Sequence, residues 1–173
     1  MKIVLIGYMA SGKTSIGKKL AKRMRLPFID LDLYISENES MSVSDIFKIK
    51  GEIYFRKKET EYLEELMAKN IDFILAVGGG TPCYANNMAI INRDAQSIYL
   101  KYSLQTAYSK LSQEKNKKKR PLIANISNSD LKEFIAKHLF ERAPFYEKAT
   151  NTLVTDAKKK KEIVTEIINL NRQ

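Results

Sequence analysis

The feature that most limits the possible fold is a loop bounded by glycines near the start of the chain. The apolar run Lys2–Ile6 is followed by GYMASGKT at positions 7–14, which matches the pattern G-x-x-x-x-G-K-[ST]. Ile16, Leu20 and Met24 then recur every fourth residue, so residues 13–25 predict an amphipathic helix. Because a strand, this loop and a helix occur in the required order, the stretch indicates a phosphate-binding P-loop and not a chance turn.

Each residue type in this loop has a physical role. A curled backbone points successive N–H groups at phosphate oxygens, and glycines at its ends permit the close approach. The helix that follows adds a partial positive charge of about half a unit. We expect Lys13 to neutralise the β- and γ-phosphates and the Thr14 hydroxyl to bind Mg²⁺. The residues expected to contact the nucleotide are Ala10, Ser11, Gly12, Lys13, Thr14 and Ser15.

Length and composition predict a single soluble domain, 1–173. The chain has 173 residues, of which 44% are hydrophobic, enough for one core. No apolar run approaches the roughly 20 residues of a membrane span, and the short first run does not resemble a signal peptide. Cys83 is the one cysteine, so no internal disulfide forms, as expected in the cytoplasm. We interpret Cys83 and the single histidine, His138, as packing or surface residues.

The chain is strongly basic, and two explanations are open. Lys and Arg number 30 against 20 Asp and Glu, a net charge of +10. Such a charge suits either a nucleic-acid surface or a site for small anions. The densest basic runs, 115–120 and 158–161, lack the interleaved aromatic residues of an RNA-binding module. We therefore expect solvated segments and no nucleic-acid partner, and keep a nucleic-acid-binding ATPase as the remote alternative.

Short apolar runs alternate with longer helical patterns along the chain, which is typical of βαβ units. The predicted strands are 2–6, 27–31, 73–77, 97–101 and 153–155. The predicted helices are 13–25, 42–49, 52–68, 86–91, 104–112, 129–142 and 158–170. This order predicts a three-layer α/β/α fold around a five-stranded parallel sheet, which is the P-loop NTPase fold. Residues 113–128 show no clear period and predict a mobile loop.

Two carboxylates follow the second predicted strand. Asp30 and Asp32 lie near its carboxyl end, where ligands collect in open α/β sheets. Alternation along the strand makes their side chains point the same way. One is then expected to hold the metal, through water, and the other to accept the hydrogen of an attacking hydroxyl. A helix N-cap is the alternative for one of them.

Two further clusters extend this site. Arg56 and Glu59 are i, i+3 neighbours on a predicted helix, so Glu59 is placed to orient the guanidinium for a carboxylate ligand, although a plain surface ion pair fits the same spacing. Gly78-Gly79-Gly80 directly follows a buried strand and offers backbone amides to a ligand, unless it is only a flexible turn. Many P-loop ATPases carry a metal-binding aspartate here, and its absence leaves that role to Asp30.

Together these pieces resemble the shikimate kinase family, small P-loop kinases of the nucleoside monophosphate kinase type. No single motif is specific to the family, but the order and spacing of the motifs over nearly the whole chain are specific. The matching residues are the P-loop through Thr14, Asp30-Leu31-Asp32, Gly51-Glu52, Phe55-Arg56, Glu59, Gly78-Gly79-Gly80, Arg120-Pro121-Leu122, Arg142 and Tyr146.

The resemblance implies a reaction and an acceptor site. ATP would phosphorylate the 3-hydroxyl of shikimate, a step towards chorismate and the aromatic amino acids, with Mg²⁺ as cofactor, in a cytoplasmic monomer. It implies that Asp32 binds the reacting hydroxyl, and that Arg56, Arg142 and the Gly79 backbone hold shikimate in a region that includes 32–62. The nearest rival is another small-molecule P-loop kinase, acting on gluconate or a nucleotide.

On the nucleotide side, the resemblance implies that 113–128 is a lid that closes over ATP, with Arg120 as a catalytic residue that reaches the phosphates. The chain departs from the family pattern in places. Ala10 stands where glycine is common in the family. Lys110-Leu111 stands where an arginine near the adenine is common. Lys158 and Lys159 are therefore candidates to contact the adenine in place of that arginine. The aromatic residues that either wall the pocket or belong to the core are Tyr8, Phe47, Phe55 and Tyr146.

Overall fold

A five-stranded sheet forms the centre of the fold and confirms the predicted architecture. Its strands are β1 (Lys2–Ile6), β2 (Phe28–Asp30), β3 (Phe73–Ala76), β4 (Gln96–Lys101) and β5 (Asn151–Val154). They lie in the order β2-β3-β1-β4-β5, and every neighbouring pair is parallel. The computed structural model describes residues 1–118 and 120–171. Because β1 and β3 are central neighbours, the loops that follow them meet at one edge of the sheet.

Helices cover both faces of the sheet. They are α1 (Lys13–Met24), α2 (Leu31–Glu39), α3 (Val43–Ile49), α4 (Gly51–Ala68), α5 (Asn87–Asp94), α6 (Leu104–Leu111), α7 (Glu114–Lys117), α8 (Pro121–Ala124), α9 (Asn128–Tyr146) and α10 (Lys160–Leu170), with a 3-10 turn at Thr81–Cys83. Alternate residues of β1 face opposite sides, because Val4 and Ile6 belong to one buried cluster and Ile3 and Leu5 to another, which α1 and α10 complete. None of the helices in the described part of the chain is long and apolar enough to span a membrane.

Helix α2 is absent from the sequence prediction, which lets the second strand run to Leu31. In the structure β2 ends at Asp30 and the chain turns at once into α2. Only Leu31 and Ile35 of this helix are buried, so its apolar stripe is too narrow to give a clear helical period. Asp32 therefore lies in the first turn of a helix, and the expectation that strand alternation aligns it with Asp30 is wrong.

The segment predicted as an irregular loop contains short helices. Within 113–128 the chain forms α7 and α8, each of about one turn, before α9 begins. Lys119, part of the basic run 115–120, lies outside the described residues. The sequence predicts that this helix ends at 142. In the structure α9 continues past Pro144 to Tyr146, although a proline removes a backbone donor and normally stops a helix.

Candidate active site

The P-loop occupies the tight connection between β1 and α1. Gly7 and Gly12 have positive φ angles of 154° and 92°, and a Cβ at Gly7 would lie 2.9 Å from both the Leu100 carbonyl oxygen and the Ser11 hydroxyl. Glycine is therefore needed at Gly7 for close packing and at Gly12 for its left-handed backbone. Ala10 also has a left-handed φ of 60°, which costs a residue with a Cβ about 1 kcal/mol. Alanine is thus accommodated there with local strain.

Lys13 lies inside the curl of the P-loop. Its Nζ donates hydrogen bonds to the carbonyl oxygens of Gly7 at 2.7 Å and Tyr8 at 3.0 Å. Desolvation lowers the pKa of Lys13 to about 8, while the nearby Asp32 and Asp30 carboxylates act in the opposite direction. The ammonium group therefore stays largely protonated at neutral pH and can bind phosphate as a cation.

The two predicted carboxylates meet the P-loop at the carboxyl edge of the sheet. The Thr14 hydroxyl donates a hydrogen bond to Asp30 Oδ2 at 2.9 Å. Asp30 does occupy the N-cap position of α2, as the N-cap alternative expects, but its side chain makes no capping hydrogen bond and accepts from Thr14 instead. Asp32 Oδ1 lies 3.1 Å from where a Cβ at Gly78 would be. Burial, followed by the charges of Asp30 and Glu59, raises the pKa of Asp32 to about 6.

Arg56 and Glu59 form the predicted i, i+3 pair on α4. Arg56 Nη1 donates to Glu59 Oε2 at 2.8 Å. Glu59 is fully buried and also accepts a hydrogen bond of 2.6 Å from the Thr81 hydroxyl. The alternative of a surface ion pair is therefore wrong, because Glu59 joins Arg56 to the turn that follows the three glycines.

The glycine loop, residues 78–80, is bordered by both arginines that were expected to bind a carboxylate. A Cβ at Gly79 would lie 3.5 Å from Arg142 Nη1, and one at Gly80 only 2.7 Å from Arg56 Nη2. The absence of side chains on this loop thus lets two guanidinium groups approach its backbone closely. It is not merely a flexible turn.

A cavity of about 960 Å³ opens beside the P-loop. Its lining includes Asp30, Asp32 and the start of the glycine loop, and it is rich in cations. Besides Lys13, the cations that line it are Lys19, Lys110, Arg120, Lys158, Lys159, Lys160 and Lys161. The basic run 158–161, expected to be simply solvated, therefore faces the same cavity as the P-loop. Arg120 is anchored within its own segment, because its Nη1 donates to the Asn116 carbonyl oxygen at 2.5 Å.

Buried aromatic side chains pack beneath the P-loop and the glycine loop, on the core side. Tyr8, Phe55 and Tyr146 are buried, as the core interpretation predicts, and Phe47 is exposed. The Tyr146 hydroxyl donates to the Gly79 carbonyl oxygen at 2.6 Å. The Tyr8 hydroxyl lies 2.9 Å from His138 Nδ1, and burial lowers the pKa of His138 to about 4. His138 is therefore a neutral packing residue near neutral pH.

Two tyrosines at the site were missed by the sequence analysis. The Tyr102 hydroxyl donates to the Met9 carbonyl oxygen in the P-loop. A signal for Tyr102 existed, since it directly follows β4, whose carboxyl end lies beside the P-loop. Tyr84 stacks on Arg56, with the guanidinium carbon 4.0 Å from the ring centroid, and its sequence position carries no comparable signal. Its neighbour Cys83 is half-buried, and burial raises the pKa of the thiol, which agrees with a packing role.

Comparison with known proteins decides the family. The sequence profile of shikimate kinase matches residues 9–171 of the chain. A shikimate kinase from Flavobacterium psychrophilum is 50% identical, over 96% of this chain and 96% of its own length. The chain belongs to the shikimate kinase family.

Solved structures of shikimate kinases share the fold described above. The crystal structure of shikimate kinase from Bacteroides thetaiotaomicron superimposes with a TM-score of 0.90 and 32% identity, covering 100% of this chain and 99% of the other. Shikimate kinase from Acinetobacter baumannii in complex with shikimate gives a TM-score of 0.84 and 30% identity, covering 98% and 91%. The resemblance and the P-loop kinase fold predicted from the sequence are therefore confirmed.

Proposed function

We propose that the protein transfers the γ-phosphoryl group of ATP to the 3-hydroxyl of shikimate, giving shikimate 3-phosphate and ADP on the route to chorismate and the aromatic amino acids. One observation carries the proposal. A phosphate-binding P-loop adjoins a glycine loop at which two guanidinium groups converge, Arg56 and Arg142. Such groups bind a small carboxylic acid through paired N–H donors. Membership of the shikimate kinase family supports the same assignment.

On the nucleotide side, the backbone of 10–15 and the Lys13 ammonium bind the phosphates. Arg120 also lines the cavity beside this loop. We assign Arg120 to the transferring phosphoryl group once the segment 113–128 closes as a lid over ATP. Closure then excludes water, which strengthens each charge contact at the reacting centre.

On the acceptor side, Arg56, Arg142 and the Gly79 backbone hold shikimate so that its 3-hydroxyl faces Asp32. The hydroxyl oxygen bonds to the γ-phosphorus while the bond from that phosphorus to the bridging oxygen of ADP breaks. The hydroxyl proton passes to the Asp32 carboxylate. Positioning and charge stabilisation supply most of the rate in such transfers.

Two oxygen donors, one at the end of β2 and one in the P-loop, fit a magnesium ion. The Thr14 hydroxyl and the Asp30 carboxylate, 2.9 Å apart, are the hard oxygen donors that Mg²⁺ prefers. Bound together with ATP, Mg²⁺ supplies neutralisation of the phosphate charge. In this proposal Thr14 and Asp30 hold the ion, with Asp30 acting through water. The enzyme is further proposed to work in the cytoplasm as a monomer, without nucleic-acid or membrane partners.

A comparison of acceptors tests the function against its rivals. ADP release is measured in a coupled assay with ATP and Mg²⁺, using shikimate, gluconate or a nucleoside monophosphate as acceptor. We expect release that depends on shikimate alone. Faster release with gluconate or the nucleotide would support the rival kinases. Tight RNA or DNA binding that weakens steeply with salt would support the nucleic-acid-binding ATPase instead.

A further inference from the structure

The guanidinium group of Arg56 is held on several sides. Its Nη1 donates to Glu59 at 2.8 Å and its Nε to Glu52 Oε1 at 3.4 Å. Its Nη2 faces the backbone at Gly80. The guanidinium carbon lies over the Tyr84 ring, 4.0 Å from its centroid. Phe55 and Phe47 are more distant, at 5.2 Å and 5.8 Å.

Tyr84 contacts this arrangement twice. Besides stacking on Arg56, its hydroxyl donates to Glu52 Oε1 at 2.8 Å, the same oxygen that accepts from Arg56 Nε. The side chain of Glu52 is 52% exposed, whereas that of Arg56 is 16% exposed. Without the tyrosine, the Glu52 carboxylate has enough solvent access to leave the guanidinium. Tyr84 therefore keeps one carboxylate in place while its ring covers one face of the cation.

The position of Tyr84 is fixed relative to α4. It follows the 3-10 turn, whose Thr81 hydroxyl donates to Glu59. Beyond it, Asn87 Nδ2 donates to the Thr81 carbonyl oxygen at 2.9 Å, and Asn87 Oδ1 accepts from the Thr60 hydroxyl of α4 at 2.9 Å. The segment that carries Tyr84 is thus tied to the same helix as Arg56 at both of its ends. A ring on such a segment can set the orientation of the arginine.

We propose that Tyr84 is a positioning residue for the acid-binding arginine: by stacking on the Arg56 guanidinium and holding Glu52 against it, Tyr84 sets the plane in which Arg56 meets the substrate carboxylate. This inference rests on the proposed function, because it assumes that Arg56 binds the carboxylate of the acceptor. A planar guanidinium forms paired hydrogen bonds with a carboxylate only when the two planes are aligned. Loss of Tyr84 should therefore weaken acceptor binding more than phosphoryl transfer.

The test compares Tyr84→Leu, Tyr84→Phe and the unmodified enzyme. We expect Tyr84→Leu to raise the KM for shikimate about tenfold, the scale of a partly desolvated cation–π contact. The KM for ATP and kcat should stay within about twofold, since no nucleotide contact is lost. Tyr84→Phe keeps the ring and should restore most of the affinity, leaving only the effect of the missing hydroxyl. Phe140→Leu, at a side chain that is 82% exposed on α9, is the matched control for loss of an aromatic ring.

The outcomes separate this inference from the function on which it rests. An unmodified enzyme that neither binds nor phosphorylates shikimate overturns both. An active enzyme in which Tyr84→Leu leaves the KM for shikimate unchanged overturns the inference alone. So does a variant that loses kcat and ATP affinity together with thermal stability, because that pattern shows a general structural role. If Tyr84→Leu fails to fold, Glu52→Gln decides: its KM for shikimate must rise if Tyr84 acts through Glu52, and an unchanged KM overturns the inference.

Discussion

At the scale of single residues, the environment of Asp32 suits the proton-accepting role proposed for it. Burial and the neighbouring charges of Asp30 and Glu59 raise its pKa to about 6, against the attraction of Lys13 and Arg56. A carboxylate that titrates near neutrality accepts a proton more readily than one with an ordinary pKa. Its ionised form is therefore both useful for catalysis and unfavourable for folding.

Replacement of Asp32 tests its part in the reaction. Asp32→Asn keeps the shape but removes the proton acceptor, so kcat should fall by about 100-fold or more. The dissociation constant for ATP should hardly change, because the nucleotide contacts lie on the P-loop. Steady-state kinetics and nucleotide titration measure the two quantities. Turnover near that of the unmodified enzyme would remove Asp32 from the mechanism.

The same residue predicts a dependence of activity and stability on pH. Because Asp32 must be ionised to accept a proton, kcat should decline as the pH falls below about 6.

The pKa of Asp32 is higher in the folded than in the unfolded protein, so ionisation costs stability: the cost is absent well below pH 4 and complete above the folded pKa of about 6. Asp32→Asn should therefore be more stable than the unmodified enzyme at pH 8, by about 3 kcal/mol, with little difference at low pH. Equal unfolding free energies at pH 8 would contradict the raised pKa.

Arg142 is the second residue whose role is open to a direct test. Arg142→Ala should raise the KM for shikimate by about 10- to 100-fold, as expected for loss of a charged hydrogen bond, with ATP binding almost unchanged. Lys137→Ala, an exposed cation on the same helix, is the matched control for the loss of charge. If both variants had the same KM for shikimate, Arg142 would have no specific contact with the acid.

At the scale of elements, the site depends on loops that follow adjacent strands. The P-loop follows β1 and the glycine loop follows β3, which pair in parallel, so the topology makes the proposed phosphate and acceptor sites neighbours. The sequence predicts this much, because apolar runs followed by glycines are local signals. It does not predict α2, because this helix buries only two residues. Nor does it predict Tyr84 on Arg56, because that contact depends on a turn that returns the chain to α4.

The glycine loop gives a prediction at this scale. A Cβ at Gly80 would lie 2.7 Å from Arg56 Nη2 and 3.1 Å from its Cζ, so Gly80→Ala must displace the guanidinium. The KM for shikimate should rise by about tenfold or more, and ATP affinity should be retained. Kinetics with shikimate as the varied substrate measure the change. An unaltered KM for shikimate would mean that the guanidinium has room to move without loss of binding.

At the scale of the whole molecule, part of the net charge of +10 is concentrated at one cavity. The run 158–161 and Lys110 line the same cavity as the P-loop. These cations concentrate a positive field where a polyanionic nucleotide enters. The charge therefore needs no nucleic-acid partner to explain it.

This field predicts a salt dependence. The Debye length falls from about 10 Å at 0.1 M to about 3 Å at 1 M ionic strength, so the KM for ATP should rise over that range while kcat changes less. The double variant Lys158→Ala, Lys159→Ala should show a smaller rise of the KM for ATP with ionic strength. A KM for ATP that is independent of salt would show that these lysines do not act on the nucleotide.

In the proposed function, one edge of the sheet joins a triphosphate site to a site for a small hydroxy acid. Phosphorus NMR of the purified protein with ATP, Mg²⁺ and shikimate detects the product of this arrangement. We expect a new phosphomonoester signal that grows in equal amount with ADP and couples to the proton at the 3-position of shikimate. Shikimate left unchanged, or phosphorylated at another hydroxyl, would contradict it.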